Sequence, residues 1–252
     1  LRWQENKSKK RHQATLFFDL SAAYDVLDHG ILLQKATICG INGTAKEWLR
    51  SYLSGRSQTV QIGQSFSEEI SLDTGTPQGS SLSCLVFALF VGDLPLWIGN
   101  GLLEAYADDT FITVEADSEA ELRVRLEEEG EKILGYFASN RMIANASKTA
   151  LVVFHSGSQL APFQITLSGE VIVETEDEKV LGVIVQRDSK WTNQCNKVTA
   201  EVNYATSVLR RLRHHLGCKE LRTVADGIAM SKIRYCLPVY AGESIRLSEV
   251  VM

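Results

Sequence analysis

Two adjacent aspartates, Asp108 and Asp109, lie between two stretches rich in strand-forming residues, 102–107 and 110–114. Aspartate disfavours strand interiors and favours turns, so the pattern predicts a β-hairpin with the aspartate pair at its tip. Neighbouring carboxylates repel each other more strongly as water is excluded, and a divalent cation removes that conflict. Taken alone, the pair is explained equally well by an ordinary solvated turn.

A third carboxylate lies far upstream, at Asp19. It directly follows residues 14–18, a continuously apolar and β-branched run that predicts a strand buried on both faces. Two-metal phosphoryl or nucleotidyl transfer needs a small set of carboxylates that bridge and separate the two ions. Asp19 with the later aspartate pair would be the minimum set, and a helix N-cap or an ion pair is the structural alternative for Asp19. Ser21 and Asp25 are predicted as cap and turn residues rather than ligands.

A Gly-x-Pro-x-Gly segment between these carboxylates, from Gly75 to Gly79, can continue neither a strand nor a helix. Ser80 or Ser81 is then placed to cap a helix that enters the core. Such a loop can approach a flat ligand closely, and Gln78 would hydrogen-bond to a nucleotide or pack against it. A purely structural turn explains the two glycines as well.

Five segments, taken in order, resemble the palm motifs of reverse transcriptases, and most closely those of non-LTR retrotransposons of the LINE-like and jockey-like kind. The segments are 17–29, 75–80, 106–110, 147–149 and 179–183. Any single segment is weak evidence, but the ordered set across roughly residues 14–185 is specific, because motif matches are judged by their context.

The resemblance implies a metal site and a nucleotide pocket. Asp19 and Asp108 would bind two catalytic Mg²⁺ ions, with Mn²⁺ as an alternative, and Asp109 would complete the acidic cluster. The resemblance also implies that Tyr24 packs under the sugar and rejects a 2′-hydroxyl. From the residues alone, a core aromatic at a strand–helix junction is the alternative for Tyr24.

Further roles follow from the same resemblance. Gln78 and Gly79 would line the pocket of the incoming nucleotide and the template. Lys148 would protonate the departing pyrophosphate, a role suited to an ammonium whose pKa falls in partial burial; a solvated loop lysine is the alternative. Leu181 and Gly182 would form the strand turn that grips the primer end.

The pattern of elements predicts an α+β fold, a polymerase palm with an antiparallel sheet and helices on one face, followed by a mostly helical thumb. The palm is expected over residues 1–190 and the thumb over residues 191–252, with Trp191 at the boundary. Because Asp19 comes so early, the fingers are expected to be largely absent and the chain to be a fragment. The predicted elements after the first strand are helices at 31–39 and 45–53, a hairpin at 58–72, a helix from Ser118, a strand at 151–154 and helices at 194–216 and 220–230.

Composition argues against a disordered, a secreted disulfide-rich and a membrane-spanning protein. A chain of 252 residues with 44% apolar content is globular rather than disordered. Its five cysteines show no C-x-x-C spacing, and their odd number argues against a disulfide framework, so an intracellular setting, nuclear or cytoplasmic, is expected rather than secretion. The longest apolar stretch, 84–91, is far shorter than the ~20 residues that a membrane span requires.

The net charge of −5 hides a segregation of charges along the chain. Acidic residues concentrate at 115–131 and 170–178, and the two ends are basic. A basic face would follow phosphates, although solvated helix faces would give the same counts. The basic residues are Arg2, Lys7, Lys9, Lys10 and Arg11 at the start and Lys190, Lys197, Arg210, Arg211, Arg213, His214, His215, Lys219 and Arg222 toward the end.

The sequence therefore predicts an RNA-directed DNA polymerase that uses an RNA template, a DNA primer and deoxynucleoside triphosphates. The alternative is a catalytically inert, truncated palm that acts at most as a nucleic-acid-binding module. An RNA-templated RNA polymerase is a third hypothesis, which Tyr24 disfavours. No oligomeric state is indicated by the sequence.

Overall fold

The computed structural model describes residues 11–144, 148–154 and 162–240. These residues form two compact units: the first contains the described residues up to Glu174 except Phe154, and the second contains Phe154 and residues 175–240. The functional boundary predicted between 190 and 191 stays a prediction. Ser147 and the basic residues Arg2, Lys7, Lys9 and Lys10 lie outside the described residues.

The first unit alternates short helices with strands. In chain order its elements are β1 (His12–Phe18), α1 (His29–Ile38), α2 (Gly43–Leu53), β2 (Arg56–Gln58), β3 (Gln61–Ile62), β4 (Ser65–Phe66), β5 (Ile70–Leu72), α3 (Ser81–Val91), a 3₁₀ helix (Leu94–Trp97), β6 (Leu102–Tyr106), β7 (Asp109–Ala116), α4 (Glu119–Ser139), β8 (Ala150–Phe154), β9 (Gln164–Leu167) and β10 (Glu170–Val173). The predicted helices at 31–39 and 45–53 are confirmed, and each begins two residues earlier than predicted.

A four-stranded sheet in the order β6-β7-β1-β8 forms the centre of this unit. Strand β7 is antiparallel to both β1 and β6. Strand β1 is buried at residues 13–16, as expected for an interior strand whose two faces are both covered. The buried strand predicted before Asp19 is therefore confirmed.

Helix α4 covers the sheet with the side chains that its sequence spacing predicts. Leu122, Leu126, Ile133 and Phe137 are fully buried, because residues three and four apart share one helix face. The Ser118 hydroxyl accepts a hydrogen bond from the Glu121 amide at 3.2 Å, which confirms the predicted N-cap. An antiparallel sheet packed against helices confirms the predicted α+β fold.

The hairpin predicted at 58–72 is present and consists of two short strand pairs. Strands β2 and β5 pair near its base, and β3 and β4 pair near its end. Gly63 lies in the turn with φ +63°, a conformation that glycine adopts at little cost.

A partly buried polar cluster joins α1, α4 and the segment that follows α3. Lys35 Nζ donates to the Phe90 carbonyl at 2.7 Å, to Asp93 Oδ1 at 2.6 Å and to the Tyr136 hydroxyl at 3.0 Å. The Tyr136 hydroxyl in turn donates to Asp93 Oδ1 at 2.5 Å. Burial lowers the pKa of Lys35 and raises that of Tyr136. The donors and acceptors of the cluster thus satisfy one another inside the unit.

The second unit begins with a hairpin and continues as helices. Its elements are β11 (Asp177–Val180), β12 (Val183–Gln186), α5 (Thr192–Leu212), α6 (Cys218–Ala225), a π-helix (Asp226–Met230), α7 (Ser231–Arg234) and α8 (Leu237–Tyr240). The predicted turn is present, with φ +48° at Leu181 and +84° at Gly182, as two-residue hairpin loops require. The Tyr235 hydroxyl donates to the Leu181 carbonyl at 2.6 Å and so fixes this turn against the end of α7.

Candidate functional site

Three carboxylates lie near one another at one end of the central sheet. The register pairs Phe18 with Thr110, so Asp19, which follows β1, and Asp109, which precedes Thr110, are neighbours across the two strands. Partial burial raises the pKa of Asp109, and the charges of Asp108 and Asp19 raise it further. The three aspartates singled out by sequence therefore lie within electrostatic reach of one another.

The hairpin that carries the aspartate pair is tighter than predicted. Tyr106 pairs with Asp109, so the two-residue turn consists of Ala107 and Asp108. Asp109 is the first residue of β7, and the tip is shifted by one residue relative to the prediction. Ala107 has φ +55°, a left-handed conformation that costs a non-glycine residue about 1–2 kcal/mol. Such strain is typical of segments whose geometry serves a site.

Lys148 lies beside the first aspartate. Its Nζ is 3.5 Å from Asp19 Oδ2, and the two side chains are 55% and 57% exposed. The chain returns to this position because residues 20 and 144 form a β-bridge and the Ser21 amide donates to the Ile143 carbonyl at 3.0 Å. An ion pair this exposed contributes at most about 1 kcal/mol, so a ligand can separate it at low cost.

The donor set at this end of the sheet suits a hard divalent cation, because carboxylate oxygens are the ligands that Mg²⁺ prefers. Over the described ranges, however, no group of three or more His, Cys, Asp or Glu side chains is arranged to hold a metal ion. The three carboxylates repel one another, and Asp19 forms an ion pair with Lys148. The chemistry of the residues fits such an ion, and ligation would require the side chains to converge.

A cleft of about 620 Å³ opens next to the acidic residues. It brings together Asp108 and the three residues predicted to bind the nucleotide, Tyr24, Gln78 and Gly79. The remaining lining residues are Ala22, Ala23, Asp25, Ser80, Ser81, Ser83 and Cys84. Its size is within the range of small-ligand sites, about 300–1,000 Å³.

The Tyr24 ring belongs to both the core and the cleft. It stacks on Phe87 with ring centroids 4.7 Å apart and an interplanar angle of 28°. Burial raises the pKa of Tyr24, and the neighbouring Cys84 and Asp108 raise it further, so its hydroxyl stays protonated at neutral pH. The ring packs against the core, as the core-aromatic alternative predicts, and it also forms part of the cleft wall.

Backbone hydrogen bonds fix the Gly-x-Pro-x-Gly loop against the segment that follows β1. The Thr76 amide donates to the Tyr24 carbonyl and the Gly75 amide donates to the Leu27 carbonyl, each at 2.8 Å. His29 Nε2 lies 2.7 Å from the Gly75 carbonyl oxygen and adds a third link. The loop is thus attached to the same chain segment that carries Tyr24.

The two glycines of this loop have different surroundings. Gly75 has φ +81°, and a Cβ there would lie 2.7 Å from the Asp25 carbonyl oxygen. Gly79 has φ +80°, and a Cβ there would meet nothing within 4 Å. Close backbone approach therefore requires glycine at position 75, and position 79 has space. Ser80 caps α3 as predicted, since its hydroxyl accepts from the Leu82 amide at 3.3 Å.

Asp25 and Cys84 are among the cleft residues that the sequence does not identify as part of a site. Asp25 is predicted only as a turn residue, and Cys84 has no predicted role, but both line the cleft. Cys84 precedes Phe87 by three residues on α3, so both side chains reach Tyr24 from one helix face. The position of Asp25 next to Tyr24 was a signal that the sequence did contain.

Comparisons with known proteins agree with the sequence motifs. The family model described as reverse transcriptase (RNA-dependent DNA polymerase) matches residues 2–185. The RNA-directed DNA polymerase from mobile element jockey of Drosophila funebris is 27% identical over 190 residues, which cover 73% of this chain and 20% of that protein. Its Drosophila melanogaster counterpart is 24% identical over 250 residues, 94% of this chain and 27% of that protein. The chain thus spans about a fifth to a quarter of the length of these relatives.

Solved structures with a similar fold come from telomerases. Telomerase from Candida albicans in complex with a fragment of telomeric RNA gives a TM-score of 0.53 at 12% identity, covering 95% of this chain and 48% of that one. Apo telomerase from Candida tropicalis gives 0.53 at 12% identity, covering 96% and 45%. At this level of identity the likeness concerns the fold alone.

Proposed function

Because the chain belongs to the reverse transcriptase (RNA-dependent DNA polymerase) family, we propose that its first compact unit is the palm of an RNA-directed DNA polymerase that extends a primer 3′ end with deoxynucleotides. Relatives from the jockey and X-element transposons make this the reverse transcriptase domain of a non-LTR retrotransposon. The observation that carries the proposal is that Asp19, Asp108 and Asp109 lie at one end of the central sheet and that Asp108 also lines a nucleotide-sized cleft.

The cleft supports a deoxynucleotide as the small substrate. Tyr24 presents a rigid ring against which a ribose 2′-hydroxyl would collide, since Phe87 holds the ring from behind. Gln78 and Gly79 form another part of the lining and offer an amide and an accessible backbone. Selection of the sugar would thus be steric, which is how a pocket most simply rejects one added hydroxyl.

Asp19 and Asp108 would hold two Mg²⁺ ions, or Mn²⁺, with Asp109 completing the acidic cluster. When bound, such ions neutralise the triphosphate and activate the primer 3′-hydroxyl for in-line attack on the α-phosphate. Lys148 would leave its ion pair with Asp19 and donate a proton to the departing pyrophosphate. The backbone that carries Asp19 and the aspartate pair is fixed in advance by the β1–β7 register.

An RNA template and a DNA primer would be the macromolecular partners, and residues 191–252 would form the thumb. Five basic residues between 210 and 222 are exposed, and none of them forms an ion pair with another described residue. Unpaired cations of this kind bind phosphates and make binding salt-dependent. They are Arg210, Arg211, Arg213, Lys219 and Arg222. No helix in the part of the chain that the structure describes has both the length and the apolar character needed to cross a membrane.

Primer extension on an RNA template with Mg²⁺ tests the proposal. We expect Asp108→Asn to reduce incorporation at least about 10³-fold, because an amide is a poor ligand for the ions. The matched control is Asp73→Asn, which removes an exposed carboxylate outside the cleft lining and should leave the rate within about twofold. Undiminished incorporation by Asp108→Asn would refute the assigned role.

A second candidate function is a nucleic-acid-binding module without catalysis. The observation that favours it is that no three acidic or other metal-ligating side chains among the described residues are arranged to hold a metal ion. The same assay separates the two functions when it is combined with a filter-binding measurement on a labelled primer–template duplex. Tight, salt-dependent binding without extension in Mg²⁺ or Mn²⁺ would select the second function.

A further inference from the structure

A second cleft lies directly beside the first and shares a wall with it. Its volume is about 600 Å³, and its lining includes Arg56, Ser57 and Gln58 of β2. Asp25 and Gln78 line both clefts. Any movement of these two side chains therefore changes the shape of the nucleotide cleft and of its neighbour together.

The two shared residues are joined by a hydrogen bond. Gln78 Nε2 donates to Asp25 Oδ1 at 2.8 Å. An ionised carboxylate only accepts hydrogen bonds, so the nitrogen of the Gln78 amide must face Asp25 and its oxygen must face away. Asp25 thus determines which end of the amide is presented to a ligand.

Asp25 is itself held by its backbone. Its carbonyl accepts from the Thr74 hydroxyl at 3.0 Å, and its amide donates to the Ala22 carbonyl at 2.8 Å. Gly75 packs against the same carbonyl so closely that a Cβ would not fit. Gln78, in contrast, has a long side chain whose rotamers are free unless a partner selects one. The fixed backbone of Asp25 therefore brings its carboxylate next to Gln78, and the hydrogen bond orients the Gln78 amide.

We propose that Asp25 is a positioning residue for nucleotide binding, which acts by orienting the Gln78 amide in the wall between the two clefts. The inference rests on the proposed function, because it takes the larger cleft as the site of the deoxynucleotide. Asp25 acts through Gln78. Loss of the hydrogen bond would release the amide and weaken nucleotide binding, and the steps that follow binding would be unchanged.

Exchange of donor and acceptor tests this role in the whole chain. Binding of a fluorescent deoxynucleotide, MANT-dATP with Mg²⁺, is measured by anisotropy for Asp25→Ala, Asp25→Asn, Gln78→Glu and the double variant Asp25→Asn/Gln78→Glu. We expect Kd to rise about tenfold for Asp25→Ala and at most about threefold for Asp25→Asn, whose amide oxygen still accepts. Gln78→Glu should bind worst, because two carboxylates then face each other.

The double variant gives the sharpest result. The amide introduced at position 25 would donate to the carboxylate introduced at position 78, so the hydrogen bond returns with reversed polarity. Kd should therefore recover to within about threefold of the wild-type value. In primer extension the loss in Asp25→Ala should appear in KM for the deoxynucleotide, with kcat within about twofold. Asp73→Ala is the matched control, since Asp73 is exposed and lines neither cleft.

Different failures have different meanings. If the wild-type chain binds MANT-dATP and Asp25→Ala binds it with the same Kd, the inference is overturned and the proposed function stands. Equal losses in Asp25→Asn and Asp25→Ala would also overturn it, because charge and not hydrogen bonding would then be responsible. Absence of binding by the wild-type chain would overturn the proposed nucleotide site and this inference with it. Thermal unfolding of each variant confirms that the fold is retained.

Discussion

Two carboxylates of the first unit, Asp93 and Asp109, have opposite surroundings. Burial alone would raise the pKa of Asp93, but hydrogen bonds from Lys35 and Tyr136 and the charge of Lys35 hold it below its usual value. The pKa of Asp109 is raised by partial burial and then by the charges of Asp108 and Asp19. The first carboxylate faces a cation and a hydroxyl donor, and the second faces further anions.

This difference distinguishes the structural cluster of Lys35, Asp93 and Tyr136 from the candidate site around Asp109. Asp93 and its partners satisfy one another, so no ligand would improve their interactions. The charges around Asp109 stay in conflict, and an added cation would stabilise them. A strained electrostatic arrangement that persists next to a cleft is the pattern that active sites share.

Removal of the cation from the structural cluster should have the largest effect on stability among the charge changes. The Lys35 side chain is 12% exposed and that of Asp93 is 40% exposed, so Lys35→Met leaves a partly buried carboxylate without its countercharge, which costs about 2 kcal/mol in the free energy of unfolding. Urea unfolding at pH 7 measures this loss. Lys46→Met is the matched control, because the Lys46 ammonium donates to the Thr37 hydroxyl rather than to a carboxylate, and its loss should cost less than about 0.5 kcal/mol.

The same variant has a predictable pH dependence. The pKa of Asp93 is lower in the folded state than in the unfolded state. The ionised carboxylate therefore stabilises the fold fully at pH values above the unfolded-state pKa, and this stabilisation is lost as the pH falls through the folded-state pKa. The difference between wild type and Lys35→Met should therefore narrow below about pH 4. A difference that stays constant down to about pH 3 would show that Lys35 stabilises the fold through packing and not through Asp93.

The sequence predicts the acidic site better than it predicts this cluster. Asp19, Asp108 and Asp109 were found because each lies where a strand ends, and strand ends of one sheet meet in space. Lys35, Asp93 and Tyr136 come from two helices and a connecting segment. No period or motif relates such positions, because their meeting depends on how the helices pack.

The sequence predicts helix caps and turns, because these depend on the residue types at a few neighbouring positions. It does not predict hydrogen bonds between side chains of different loops. The cap at Ser118 and a cap at Ser80 or Ser81 follow from capping rules, and the turn at Leu181 follows from the resemblance to the family's motifs. The hydrogen bond of Asp25 with Gln78 depends on the exact course of a loop, which the sequence does not specify.

Substitution of the two glycines in the Gly-x-Pro-x-Gly loop should show how tightly the backbone around the cleft is packed. Gly75→Ala would place a methyl group against backbone atoms that cannot move, and we expect a loss of about 3 kcal/mol together with a distorted cleft. Gly79→Ala meets no atom and should cost about 1 kcal/mol for its positive φ alone. Thermal unfolding of both variants is the measurement, and equal losses would contradict the close approach of Gly75 to Asp25.

Magnesium should stabilise the acidic site and leave the structural cluster unaffected. At a Mg²⁺ concentration about tenfold above Kd, a single bound ion adds about 1.4 kcal/mol to the free energy of unfolding. This increment should disappear in Asp108→Asn and persist in Asp93→Asn, although the latter is less stable from the start. Calorimetric unfolding with and without Mg²⁺ measures both, and an increment that survives Asp108→Asn would place the ion elsewhere.

The smallest predicted effect is the change in the free energy of unfolding when a carboxylate is replaced by an amide. This change should have opposite signs for Asp109 and Asp93, which makes it the most diagnostic. Asp109→Asn removes one of three repelling charges and should raise the free energy of unfolding by about 0.5 kcal/mol in the absence of divalent cations. Asp93→Asn keeps an acceptor oxygen but removes the negative charge that faces the Lys35 ammonium, and should lower the free energy of unfolding. Urea unfolding in the presence of a chelator compares them. A loss for both variants would mean that Asp109 has compensating partners, and the acidic end of the sheet would then be a second structural cluster in which a cation has no conflict to relieve.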